Sequence, residues 1–116
     1  MKSELTRGDI VLVPFPFTDL SSGKVRPALV INAFGEDILV AFISSVISPA
    51  SPGSTDFVLA SSHPEFPKTG LKFGSTFKLA KLLCLHRSRI LRRLGKVGPA
   101  LQPEIDLRLS RAVGLT

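Results

Sequence analysis

The sequence lacks several features that mark particular protein classes. It contains no tryptophan or tyrosine, and its single cysteine, Cys84, cannot form a disulfide within the chain. No apolar run approaches the roughly 20 residues needed to cross a bilayer, and the first residues lack the apolar stretch of a signal peptide. These absences exclude a disulfide-rich fold and lead us to expect a cytoplasmic protein with no membrane partner. Any stacking on nucleobases would depend on phenylalanine, histidine or arginine.

The usual residues of metal and cofactor sites are also scarce. His63 and His86 are far apart, no cysteines or histidines have the spacing of metal ligands, and there is no acidic cluster. A glycine-rich phosphate loop and a serine in a G-x-S-x-G setting are both missing. We therefore expect no metal and no cofactor. Cys84 lies among leucines, which predicts a buried structural thiol.

The bulk composition points to a basic globular protein. The 116 residues, 44% of them hydrophobic, predict a single domain over residues 1–116 with one core. The formal net charge is +6 and the pI is about 10.1. A polyanion is therefore the first kind of partner to consider.

Short β-rich runs separated by turn residues make up most of the sequence. Clusters of serine, proline and glycine predict loops at residues 17–24, 47–55 and 61–70, and F-G-E-D at 34–37 predicts a hairpin turn. Periodicity alone does not exclude a helix over residues 78–83. The predicted strands are residues 9–15, 27–32, 38–44, 56–60 and 75–85.

Only the C-terminal segment has a clear helical pattern. Pro103 suits a first helical turn, and Gly114 can end the helix. Successive strands, tight turns and one packed helix predict a mainly β, α+β fold, either a strongly bent antiparallel sheet or a small barrel. The apolar residues that fall on one face of this helix are Ile105, Leu109, Ala112 and Val113.

One stretch of the chain, residues 66–103, carries charge of a single sign. No acidic residue lies between Glu65 and Glu104. Like charges without local counter-charges repel one another on a merely solvated face, so this segment predicts a phosphate-binding surface. Its cations are Lys68, Lys72, Lys78, Lys81, Arg87, Arg89, Arg92, Arg93 and Lys96.

RNA cleavage is a reaction that needs neither metal nor cofactor, because the 2′-OH of RNA can attack the adjacent phosphorus. The protein must stabilise charge on the phosphorane, and a guanidinium matches phosphate oxygens well. Arg26 is the natural candidate, since Pro27 favours an extended backbone at a strand mouth beside a loop. Ser44 and Ser45 end the third predicted strand and could orient the phosphate. An arginine before proline is also common on surfaces, and strand-end serines commonly form turns, so both interpretations stay open.

Two blocks of sequence carry a family resemblance. R-G-D-I-V-L-V-P-F-P-F-T-D at residues 7–19 and K-V-R-P-A-L-V-I at residues 24–31 resemble the opening of MazF/PemK-like toxins. That family's signature is a G-D-[IV] strand, a variable loop and then R-P-A-[LV]-V. F-I-S-S at 42–45 resembles its P-I-T-S strand end. Further similar blocks, which extend the resemblance over nearly the whole chain, are G-L at 70–71, S-R-I at 88–90 and R-L-G at 93–95.

The resemblance implies an SH3-like antiparallel β-barrel with a C-terminal helix that forms a homodimer. It implies a type II toxin, a metal-independent endoribonuclease that cuts single-stranded RNA and is neutralised by an acidic antitoxin. By position, Arg26 matches the catalytic arginine and Ser44 the catalytic threonine, a change that keeps the hydroxyl. The residues that we expect to contact RNA are Thr18, Lys24, Ser45, Lys78, Lys81, His86 and Arg87.

The sequence departs from the family pattern in two places. A-K-L-L stands at residues 80–83 where many members carry D-Q-I-R, so an acidic residue and a second arginine are missing. Phe42 replaces the proline before the strand-end hydroxyl. These departures leave open a second interpretation, in which the same barrel binds RNA or a protein and has lost catalysis. Inhibition of a protein such as a topoisomerase is a third, which follows from fold analogy alone.

Overall fold

The computed structural model describes residues 4–14, 25–47 and 55–115. Within these ranges six strands form one antiparallel sheet in the order β4-β5-β3-β2-β1-β6. A C-terminal helix packs on it, so the predicted fold class is confirmed. The elements are β1 Asp9–Pro14, β2 Val25–Phe34, β3 Asp37–Ser44, β4 Asp56–Leu59, α1 Phe66–Thr69, β5 Ser75–His86, a 3-10 turn Arg87–Arg89, β6 Arg92–Lys96 and α2 Leu101–Ala112.

The sheet is curled into a half-barrel because several of its ladders are interrupted. Register shifts occur in β1 between Ile10 and Val11, and in the β2–β3 and β3–β5 ladders. Extra residues of this kind bend a strand and increase its twist. In the β3–β5 ladder the partner on β5 jumps from Leu82 to Lys78 as β3 passes from Ala41 to the next residue. The long β5 strand therefore wraps around the body of the sheet.

Side chains on the two faces of the sheet form two buried clusters, because successive strand residues point to opposite faces. The first cluster lies between the sheet and α2, and the second lies on the other face. Members of the first are Ile10, Leu29, Ile31, Ala41, Ile43, Leu59, Phe77, Leu79, Val97, Leu101 and Ile105. Members of the second are Val11, Val13, Ala28, Val30, Ile38, Val40 and Phe42.

Several sequence predictions of local structure are confirmed. The turn at 34–37 is a tight hairpin, with Phe34 paired to Asp37 and Gly35 at a φ of +61°. Helix α2 contains Pro103 in its first turn, and its apolar residues pack on the first cluster. The left-handed Gly114, with a φ of +79°, follows the end of the helix.

Other predictions were wrong. Cys84 is exposed rather than buried, because Leu83 and Leu85 face the second cluster and the residue between them points the other way. Val113 lies beyond the end of α2 and is 49% exposed. The predicted loop at 61–70 contains the short helix α1, and β6 was not predicted at all. None of the described helices is long and apolar enough to cross a membrane.

Candidate functional site

The antiparallel ladders bring the proposed catalytic residues to one end of the sheet. Arg26 lies near the start of β2, where it pairs with Val13 of β1. Ser44 is the last residue of β3 and pairs with Thr76 at the start of β5. Because β2 and β3 run in opposite directions, the start of β2 and the end of β3 lie at the same end of the sheet. The predicted strand-mouth and strand-end positions are confirmed.

An open cavity of about 550 Å3 lies at this end of the sheet. We call it the Arg26 cavity. Arg26 lines it together with Ser44 and Ser45, which are distant from Arg26 in sequence, and so does Lys72 from the segment that follows α1. The remaining lining residues are Leu12, Val25, Pro27, Ile43, Val46, Gly70, Leu71, Phe73, Ser75, Arg92 and Leu94. The cavity therefore combines cations, hydroxyl groups and an apolar floor.

The cations of the Arg26 cavity are not neutralised by the described part of the chain. Arg26 is half-buried, while Lys72 and Arg92 are exposed. None of the three forms an ion pair with a carboxylate among residues 4–14, 25–47 and 55–115. A site with uncompensated positive charge inside a partly enclosed space attracts phosphate groups.

The hydroxyl of Ser44 has a local structural role that leaves its proton available. Its Oγ accepts a hydrogen bond from the backbone N–H of Val46 at 3.1 Å. A serine hydroxyl has one proton to donate in addition to its acceptor lone pairs, so it can still donate to a ligand oxygen. Thr76 holds the same segment in place, because its Oγ1 donates to the carbonyl of Val46 at 3.0 Å. Both the turn-forming and the ligand-binding interpretations of Ser44 are compatible with this geometry.

Lys78 and Lys81 lie next to the cavity rather than in its lining. Lys78 is opposite Phe42, two residues before the end of β3, and its Nζ is 3.7 Å from a carboxylate oxygen of Asp56. The Nζ of Lys81 is 5.9 Å from the centroid of the Phe42 ring. Since Phe42 and Ser44 share a face of β3, both lysines flank the Ser44 end of the sheet.

His86 and Arg87 are not brought to the Arg26 cavity. His86 pairs with Asp37 at the other end of β3, about 23 Å along that strand from Ser44 at the usual rise per residue. Its Nε2 lies 3.6 Å from Glu36, and the backbone N–H of Arg87 donates to the carbonyl of the same residue at 2.7 Å. Thr18 and Lys24 lie outside the described residues.

The cations of the acid-free segment are not all without counter-charges in the fold, so the premise of the predicted phosphate-binding surface is only partly correct. Two of its cations meet carboxylates from other strands, Lys78 with Asp56 and Arg93 with the buried Asp9 at 3.2 Å. The segment itself contains no acidic residue, but in the folded sheet β1 and β4 bring carboxylates next to it. Within the described ranges, no three His, Cys, Asp or Glu side chains come together as a metal-binding group.

Sequence reasoning missed three residues at the site. Lys72 and Arg92 belong to the acid-free segment, but nothing in the sequence ranks them above its other cations. Phe73 is 64% exposed at the cavity. The one signal that could have singled it out is the absence of tryptophan and tyrosine, which makes every exposed phenylalanine near a basic residue a candidate for stacking.

A small curled antiparallel sheet with a helix at its C-terminus and a basic cavity at one end defines the class of protein. The chain belongs to the PemK-like, MazF-like toxins of type II toxin–antitoxin systems, whose family model matches residues 6–113. A search of curated proteins finds no significant match.

Solved structures support the same fold. An endoribonuclease from a mycobacterial species in complex with its cognate antitoxin superimposes with a TM-score of 0.72 at 18% identity, over 97% of this chain and 98% of that one. MazF from Deinococcus radiodurans gives a TM-score of 0.71 at 18% identity, with coverage of 97% and 99%. A MazE–MazF complex from the same organism gives 0.70 at 17% identity, with coverage of 99% and 100%.

Proposed function

We propose that the protein is a metal-independent endoribonuclease that cuts single-stranded RNA at the Arg26 cavity. The observation that carries this proposal is the meeting of Arg26 and Ser44, with two further cations, in one open cavity. A similar fold at 18% identity belongs to a protein described as an endoribonuclease. The toxin would act by destroying RNA, as a cytoplasmic homodimer.

The residues of the cavity suit attack by the 2′-OH on the adjacent phosphorus. The O2′–P bond forms, the P–O5′ bond breaks, and the proton leaving O2′ is balanced by one that reaches O5′. The products are a 2′,3′-cyclic phosphate and a 5′-OH end. Arg26 stabilises the charge that develops on the phosphorane oxygens, and the Ser44 hydroxyl donates to one of them.

Arg92 offers a replacement for the second arginine that the sequence lacks at residue 83. Arg26 and Arg92 pair with neighbouring residues of β1 from its two sides, so their backbones are about 10 Å apart at the usual strand spacing. Both line the same cavity. Because neighbouring residues of β1 point to opposite faces of the sheet, the two guanidinium groups would approach a phosphate from opposite sides, and catalysis would then not depend on the residues missing from 80–83.

The antitoxin partner follows from the same charges. A similar endoribonuclease has been solved in complex with its cognate antitoxin, and no carboxylate is among the residues that line the Arg26 cavity. A flexible acidic segment that lays carboxylates near Arg26 and apolar anchors on the exposed Val46 would neutralise this site.

Cleavage of a long RNA in the presence of EDTA tests the proposal. Discrete fragments ending in cyclic phosphate, together with new 5′-OH ends, are the expected result. A retarded band of intact RNA would overturn catalysis and support the binding module instead, which the departures at 80–83 motivate. Absence of both cleavage and binding would remove RNA as the target and leave inhibition of a protein.

A further inference from the structure

A second basic cavity lies beside the Arg26 cavity, separated from it by a close crossing of the chain. It measures about 420 Å3 and is lined by Arg7, Lys68, Lys96 and Gln102, with residues 97–99 forming its floor. We call it the Lys68 cavity. Lys68 and Lys96 belong to the acid-free segment, and Arg7 opens the first block of the family resemblance.

The crossing that separates the two cavities is formed by two glycines. A β-carbon on Gly70 would lie 2.1 Å from the carbonyl oxygen of Leu94, and one on Gly95 would lie 2.3 Å from the carbonyl oxygen of Lys68. The chain around α1 therefore lies directly on β6. Lys72 and Arg92 fall on one side of this crossing, in the Arg26 cavity, and Lys68 and Lys96 fall on the other.

The charges of the Lys68 cavity are available to a ligand. Lys68 and Lys96 are exposed, and neither forms an ion pair within the described ranges. The nearby carboxylates are already engaged. Asp106 is 2.7 Å from the guanidinium of Arg7, and the two oxygens of Glu65 accept hydrogen bonds from the start of α2.

The two cavities are close enough to bind one extended strand. Arg92 and Lys96 are four residues apart on β6, which corresponds to about 13 Å. Lys68 in α1 and Lys72 after it are also four residues apart, and each lines a different one of the two cavities. The cations thus form a track that starts at Arg26 and ends at Lys96, and a track of this kind follows a nucleic-acid backbone.

We propose that the Lys68 cavity binds a backbone phosphate of the RNA strand whose scissile phosphate lies at Arg26. The proposal rests on the ribonuclease function given above. Its ligand is a phosphodiester, held by the Lys68 and Lys96 ammonium groups a few nucleotides from the cleaved bond. Contacts of this kind fix the register of the strand without reading its sequence.

The test combines protein variants with neutralised phosphates. The probe is a 2′-O-methyl RNA, which cannot be cut, in a series where one phosphate at a time is replaced by an uncharged methylphosphonate. Because both lysines hold one phosphate, we expect the K68Q/K96Q double variant to reduce the slope of log affinity against log salt by about 0.7 and to lose about tenfold in affinity, and each single variant to show part of both effects. Neutralising one particular phosphate, remote from the cleaved bond, should weaken RNA binding by the parent but not by the double variant.

The matched control is R111Q, which removes an exposed cation of helix α2 that lies in neither cavity and outside residues 66–103, and which should leave the slope unchanged. The inference is overturned if every methylphosphonate weakens the parent and the double variant alike. It is also overturned if the double variant loses affinity for a glutamate-rich peptide but not for RNA, since the cavity would then serve the antitoxin. If the parent protein neither cleaves nor binds RNA, the proposed function itself is overturned instead.

Discussion

The carboxylate of Glu65 accepts a hydrogen bond from the backbone N–H of Leu101 at 3.1 Å, and another from the N–H of Ala100 at 3.0 Å. Helix α2 has no side-chain cap of its own, so a residue from the segment before α1 satisfies its first donors. Gly98 makes room for this contact, because a β-carbon there would lie 2.6 Å from the carboxylate. The C-terminal helix is thus attached to the chain that lines both cavities.

Removal of this cap should destabilise the fold. We expect Glu65→Ala to lower the free energy of unfolding by about 1–2 kcal/mol, the usual cost of losing an N-terminal cap, as measured by urea denaturation. Glu36→Ala is the control, because Glu36 is largely exposed and contacts His86 only at 3.6 Å. That change should alter stability by less than about 0.5 kcal/mol. Equal effects of the two would show that Glu65 does not anchor α2.

Arg26 should dominate the rate of RNA cleavage. Arg26→Ala removes the group that stabilises the phosphorane and should lower the single-turnover rate by about 100-fold or more. Arg26→Lys keeps the charge but loses the planar fork, so its rate should lie between those of the parent and the alanine variant. Arg111→Ala, which removes an exposed cation of helix α2 outside the cavity, should cut RNA at the parental rate. An alanine variant as fast as the parent would contradict the assignment of Arg26 as the group that stabilises the phosphorane.

Ser44 should contribute less than Arg26. Ser44→Ala removes a hydrogen bond to the phosphate and also the acceptor for Val46 N–H, and we expect a loss of about tenfold in cleavage rate. Ser44→Thr keeps the hydroxyl and should retain most of the rate. Cleavage assays on the two variants separate the effect of the hydroxyl from that of the side-chain volume. A threonine variant as slow as the alanine variant would contradict a role for the hydroxyl.

Phe73 should bind a nucleobase at the rim of the Arg26 cavity. Stacking of a base on an aromatic side chain is worth about 1–3 kcal/mol, so Phe73→Ala should weaken binding of uncleavable RNA between about fivefold and 150-fold. Phe34→Ala is the matched control, because Phe34 is 52% exposed but lies at the β2–β3 hairpin, at the opposite end of the sheet. If both variants bind RNA as the parent does, Phe73 is not a stacking platform.

The sequence predicted the strands around the site better than the site itself. Alternation and turn residues located β1, β2, β3 and β5, and the helical period located α2. Strand β6 was not predicted because Gly95 and Lys96 have low strand propensity and the segment has no apolar alternation, and only pairing with β1 makes it a strand. Tertiary context of this kind cannot be seen in a local pattern.

The composition of the site was predictable only where a motif supplied it. Arg26 and Ser44 were singled out because one directly precedes a predicted strand and the other ends one, and because both match a family motif. Lys72 and Arg92 join them through the crossing of Gly70 over β6, a contact between distant segments that no spacing rule contains. Cys84 shows the opposite error, since a run of leucines looks buried although alternate residues face different sides.

The crossing between the two cavities depends on a missing β-carbon. Gly70 and Gly35 both have a left-handed backbone, with φ of +74° and +61°, but only Gly70 has a neighbour where a β-carbon would be. We expect Gly35→Ala to cost about 1–2 kcal/mol for the backbone alone and Gly70→Ala to cost several times more, as measured by thermal or urea unfolding. Similar costs at both positions would mean that the chain can move away from Leu94.

Strand β6 lies at one edge of the sheet, a position where exposed backbone groups invite pairing with another chain. It is short and carries Arg92, Arg93 and Lys96, and charged residues of this kind discourage edge-to-edge association. Two of these cations, Arg92 and Lys96, would hold RNA and also act against aggregation. Substitutions that neutralise the charges of this strand to reduce toxicity should therefore also lower the solubility of the protein.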